Sequence, residues 1–123
     1  MAEDEIQRIV NSANFLIDLG YVRKIEDASI YFLNNEINII ITYERYSDTS
    51  DILIKFLKEN EMFSVGWIAC VRSGLDVKPH QRLENVLALL LYIRDNYSMI
   101  TDRAYCKESD KLVREFINRR RAR

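Results

Sequence analysis

The side chains best suited to chemistry in this chain are few and far apart. His80 is the only histidine, so a histidine-based triad, a two-histidine metal site or a histidine proton relay would have to rest on that residue alone. It follows Pro79 at the expected start of a helix, where an exposed loop histidine is the ordinary outcome. The two cysteines, Cys70 and Cys106, lie inside apolar patterns without metal-ligand spacing, and such cysteines behave as small, reduced hydrophobes. Carboxylates are plentiful but scattered over turns, with no pair spaced to converge in a groove. The three glycines, Gly20, Gly66 and Gly74, are too few and too separated to build a phosphate loop. The inventory therefore points away from an enzyme, and no cofactor or metal site is expected.

Recognition chemistry is better represented. Tyr43-Glu44-Arg45-Tyr46 places two tyrosines around an ion pair at the end of an expected strand. Such a group is either a cross-strand packing cluster or a contact patch of the aromatic and arginine type enriched at interfaces, and both readings stay open. With Asp48 and Asp51 in the following polar turn and strand start, these residues form the candidate partner-binding site. Trp67 is the only tryptophan; among aliphatic neighbours it is expected in the core, because burying its ring is strongly favourable. The C-terminal run Arg119-Arg120-Arg121-Ala122-Arg123 has the charge to contact phosphates. It lacks interleaved aromatics, so a solvated helix end is the simpler expectation and nucleic acid is not the expected partner.

The elements that must position these groups follow from hydrophobic spacing. Ile6, Ile9, Val10, Ala13, Leu16 and Ile17 recur at intervals of three and four, predicting an amphipathic helix over 4–19 that Gly20 ends, with Tyr21 and Val22 folding back on its last turn. Ala28 to Leu33 and Glu36 to Tyr46 read as a hairpin turning at Asn34-Asn35. Asp51 to Leu57 is the third expected strand, favoured over a short helix by its β-branched residues. Met62 to Arg72 is the fourth, carrying Trp67 on one face with Phe63, Val65, Ala69 and Val71. A helix is expected from Pro79 to Tyr97 with Leu83, Val86, Leu87, Leu90 and Ile93 as its stripe. The last helix would bury Cys106, Leu112, Val113, Phe116 and Ile117, with Ser109 as an internal cap or break. The expectation is one α+β domain over 1–123: a four-stranded antiparallel sheet in the order αββββαα, with helices packed on one face.

Charge and length bound the rest. The net charge of −1 at 123 residues hides an asymmetry: residues 1–61 hold 12 acidic and 6 basic side chains, residues 62–123 hold 7 and 12. Glu36, Glu44, Asp48, Asp51, Glu59 and Glu61 gather at strand ends and turns of the expected sheet, where they serve either solubility or steering toward a basic partner. No apolar run approaches the roughly eighteen residues of a membrane span. The acidic start, Met1-Ala2-Glu3-Asp4-Glu5, is unlike a secretory signal, so a cytoplasmic location is expected.

Ile41-Thr42-Tyr43-Glu44-Arg45-Tyr46, followed by a strand and then by Phe63-Ser64-Val65-Gly66-Trp67-Ile68-Ala69-Cys70-Val71-Arg72, resembles small immunity proteins encoded beside toxins in Gram-positive bacteria, although the pattern of the SUKH immunity superfamily is not present. The likeness spans roughly residues 28–73. It implies a bacterial protein without catalysis that binds one cognate toxin domain and blocks its active site or substrate path. A basic nuclease is one candidate for that toxin, since an acidic binder would steer toward its substrate-holding surface and cover it. The alternative class is a small regulatory or nucleic-acid-associated domain that uses the arginine tail.

Overall fold

The computed structural model describes residues 3–27, 29–42 and 50–121. Their order is α1 (Glu3–Ser12), α2 (Asn14–Asp18), β1 (Val22–Glu26), β2 (Ser29–Leu33), β3 (Ile37–Thr42), β4 (Asp51–Phe56), β5 (Glu61–Ser64), α3 (Val65–Ser73), α4 (Arg82–Asp95), α5 (Tyr97–Ile100) and α6 (Arg103–Arg121). The class is α+β with an antiparallel sheet, but the sheet has five strands in a simple meander, β1-β2-β3-β4-β5, rather than the four expected.

The expected first helix divides at Ala13, and Gly20 at φ +99 turns the chain so that the Tyr21 amide reaches the Leu16 carbonyl at 3.0 Å. Tyr21 and Val22 then lead straight into the strand that sequence reasoning missed. All five residues of β1 are exposed, so it shows none of the alternation that marks a half-buried strand. The β2–β3 turn sits at Asn34 as expected: its Oδ1 accepts from the amides of Glu36 at 2.8 Å and Ile37 at 2.6 Å, a local turn bond that asparagine supplies.

Burial alternates along β3 and β4. Ile30 and Phe32 of β2, Ile39 and Ile41 of β3, and Ile52 and Ile54 of β4 are fully buried. In register on the opposite side lie Tyr31, Ile40 and Leu53, which are half-buried. Helices α3 and α4 pack on β4, α1 packs on α4, and α6 packs on α3. Helix α4 is thus enclosed on several sides, burying Val86, Leu89, Leu90, Tyr92 and Ile93, as its nearly continuous apolar middle requires.

Three further expectations fail for identifiable reasons. The tryptophan strand ends at Ser64, and Val65–Ser73 is a helix. Ser64 Oγ accepts the Trp67 amide at 3.1 Å, which caps the helix start, and Gly74 at φ +69 closes its end; these two local signals outweigh β propensity. The next helix begins at Arg82 rather than Pro79, because His80 adopts φ +62 and Asn85 holds the preceding loop by accepting the Lys78 amide and donating to its carbonyl, both at 2.9 Å. Ser109 neither caps nor breaks α6. It lies fully buried in mid-helix, donating to the Tyr105 carbonyl at 2.7 Å and accepting from Arg72 Nε at 2.9 Å.

Candidate functional site

A cleft of about 340 Å³ opens between the start of β4, the first turns of α3, the loop over 75–77 and the last turns of α6. Its floor is built by Asp51. One carboxylate oxygen, Oδ1, accepts from the amides of Ile52 at 2.8 Å and Gly66 at 2.9 Å, and the other accepts from Ser64 Oγ at 2.5 Å. Asp51 therefore binds the first turn of α3, where amides left without intrahelical partners and the helix dipole both favour an anion. Burial raises its carboxyl above the ordinary 3.8, while the Ser64, Gly66 and Ile52 hydrogen bonds pull the other way. The close approach explains Gly66: a Cβ there would lie 2.8 Å from Asp51 Oδ1.

The walls are aromatic and charged. Trp67, on α3, is 40% exposed, which overturns its expected place in the core. Once this segment is helical, Trp67 leaves the face of Val65, Ile68 and Ala69, all buried. Its ring meets Phe116 of α6 edge-on, with centroids 6.1 Å apart and planes at 63°, a favourable aromatic arrangement. The Arg120 guanidinium lies 5.5 Å from the Phe116 ring centre, within cation–π range. Cys70 and Asp76 complete the wall, with the thiol 3.6 Å from Asp76 Oδ1. Burial, the Asp76 charge and that hydrogen bond push the thiol up, and only Arg120 opposes them. A thiol held protonated is a poor nucleophile. Ser50 Oγ, in the same cleft, is buried without a hydrogen-bond partner among the described residues.

Of the candidate partner-binding residues, Tyr43, Glu44, Arg45, Tyr46 and Asp48 lie outside the described residues. Asp51 lies in the cleft, engaged in capping α3. Of the other acids in the described residues, Glu36 and Glu59 are exposed in turns that line one cavity at the far end of the sheet, away from Asp51, together with Arg103, whose Nε donates to Glu61 Oε1 at 2.5 Å. His80 sits in the loop before α4. Cys106 is fully buried, its thiol facing the Ile100 carbonyl at 3.2 Å and pushed up to about 12, chiefly by burial. Among the described residues, no group of three His, Cys, Asp or Glu is placed to hold a metal ion, and no helix is long and apolar enough to cross a membrane.

Sequence reasoning missed the grouping of Trp67, Phe116 and Arg120. No local pattern links residues so distant in the chain; the one available signal was Ser64 three residues before Trp67 and Gly74 beyond it, which frame a short helix. Compared with known proteins, the chain matches no family model, no curated protein and no solved structure.

Proposed function

We propose that this chain is a binding protein that acts by direct complex formation with a partner protein, as an immunity protein does when it neutralises its cognate toxin. The observation that carries the reading is the half-exposed Trp67–Phe116 pair beside Arg120 at the mouth of the cleft. Tryptophan, other aromatics and arginine are the side chains that dominate binding energy at protein interfaces. The reactive groups in the same cleft favour recognition over catalysis, since the Asp51 carboxylate is spent on capping α3 and the Cys70 thiol is held protonated. In this reading the protein works in the bacterial cytoplasm, without a cofactor, and meets the toxin domain at the cleft mouth; the acidic turns at the far end of the sheet contribute long-range steering toward a basic partner.

Co-expression with the product of the adjacent gene, scored by growth rescue and by co-purification, tests the proposal. Trp67→Ala is expected to lower partner affinity by at least about tenfold. Its stability cost is expected near 1–2 kcal/mol, below the roughly 3–5 kcal/mol of a fully buried tryptophan. Full rescue and unchanged affinity with Trp67→Ala would move the interface away from the cleft.

The nucleic-acid reading gains one specific observation. The last turn of α6 carries Arg119, Arg120 and Arg121, and the fold supplies the neighbouring aromatics that the linear tail lacks. Fluorescence anisotropy with a single-stranded oligonucleotide separates the two readings: binding that weakens steeply with salt and is lost on replacing the three arginines by alanine would favour it over the toxin-binding one.

A further inference from the structure

Strand β1 forms one edge of the sheet. Among the described residues it pairs only with β2, all five of its residues are exposed, and Val22 and Ile25 remain 67% and 45% accessible. An open edge presents unpaired backbone donors and acceptors, and proteins normally blunt it or give it a partner. No proline interrupts this one; the blunting devices it carries are its short length and its charged side chains, and those charges are of both signs.

The sequence along the edge, Arg23-Lys24-Ile25-Glu26-Asp27, reverses its charge sign about Ile25. The pairing of β1 with β2 fixes the faces. Lys24 and Glu26 stand with Tyr31 and Ser29 on the less buried face, whereas Arg23 and Ile25 stand with Phe32 and Ile30 on the helix-covered one. In a continuous antiparallel sheet, directly opposed residues point to the same face. A two-fold axis normal to the sheet must therefore pass through a residue. With the axis at Lys24 or Arg23, like charges meet at the centre. With the axis at Ile25, the two isoleucines meet and Lys24 of each copy opposes Glu26 of the other.

We infer that the β1 edge pairs antiparallel with the β1 edge of a second copy of this chain, in the register centred on Ile25, joining two sheets into one of ten strands. Lys24 and Glu26 already form an ion pair within one chain at 3.0 Å. Across the seam they become four charges of alternating sign, and the symmetry is isologous, as closed dimers require. The seam is one short strand from each copy, at the small end of specific interfaces, so the dimer is expected to dissociate in the micromolar range.

Sedimentation velocity on the full chain, from about 1 µM to 1 mM, gives the first reading. A concentration-dependent dimer is expected, and a monomer at every concentration overturns the inference by leaving the edge empty or to another occupant. Lys24→Glu sets like charges opposite each other and should raise the dissociation constant at least about tenfold. Combining it with Glu26→Lys restores the pairing and should return the constant to within about threefold of the starting value. A mixture of the two single variants should form a heterodimer more tightly than either self-associates. A dimer indifferent to Lys24→Glu, or one that the double swap fails to restore, refutes the register. Both side chains are exposed, so thermal melts should show every variant folded; were Lys24→Glu to unfold, Glu26→Lys alone must weaken the dimer by the same factor.

Discussion

The contact between Asp51 and Gly66 makes a quantitative test of how the cleft floor is held. Asp51→Ala removes an acceptor for the amides of Ile52 and Gly66 and for the Ser64 hydroxyl. At about 1 kcal/mol net per bond, less the recovered cost of burying a charge, the expected loss is roughly 2–3 kcal/mol. Gly66→Ala has two opposing effects. Alanine in a helix is worth about 1 kcal/mol over glycine, but the new methyl would stand 2.8 Å from Asp51 Oδ1. That oxygen is pinned by its own hydrogen bonds, so the carboxylate must move and give up about 2 kcal/mol of them, leaving a net loss near 1 kcal/mol. In the Asp51→Ala background the obstacle is gone, and Gly66→Ala should instead stabilise by up to about 1 kcal/mol. The coupling between the two substitutions is thus about 2 kcal/mol, well above the roughly 0.5 kcal/mol within which independent sites add. Urea unfolding of the four proteins of the cycle measures it. If the two costs simply add, the carboxylate does not hold Gly66 and this account of the α3 cap is wrong.

Other outcomes follow from the same geometry. Burial raises the Asp51 carboxyl above 3.8, so the native state holds this proton more readily than the unfolded chain; its contribution to stability is full below 3.8 and is lost as the pH rises through the raised value. Asp51→Asn keeps an oxygen for Gly66 and should flatten that part of the stability profile, as urea melts from about pH 3 to 7 would show. Ser109→Ala leaves Arg72 Nε without its acceptor in the α3–α6 interface and should cost about 1–2 kcal/mol in the same assay, whereas no change would mean that water replaces the hydroxyl. Thiol labelling of the native protein at about pH 8 should modify Cys70 slowly and Cys106 only as fast as the chain unfolds; equal rates would contradict the burial of Cys106.

Much of the architecture was legible along the chain because it rests on near-neighbour rules. Alternation across 37–42 and 51–56 specified β3 and β4, Asn34 specified their upstream turn, and the three-and-four spacing of Ile6, Ile9, Val10 and Ala13 specified a helix against the core. From that pattern alone came an α+β domain with an antiparallel sheet. What the sequence left undecided was decided by contacts between distant residues. Whether Phe63 to Val71 continued as strand or turned into helix depended on the local caps Ser64 and Gly74, which lie in the sequence, and on a carboxylate thirteen residues upstream of Ser64, Asp51, which no local pattern ties to them. That change of period took Trp67 out of the core and set it against Phe116. The edge strand stayed hidden because a segment that pairs on one side and is exposed on both faces has no hydrophobic period to read. Its charge order was visible from the start, but only the register with β2 shows which charges share a face, and face is a property of the sheet, not of the segment.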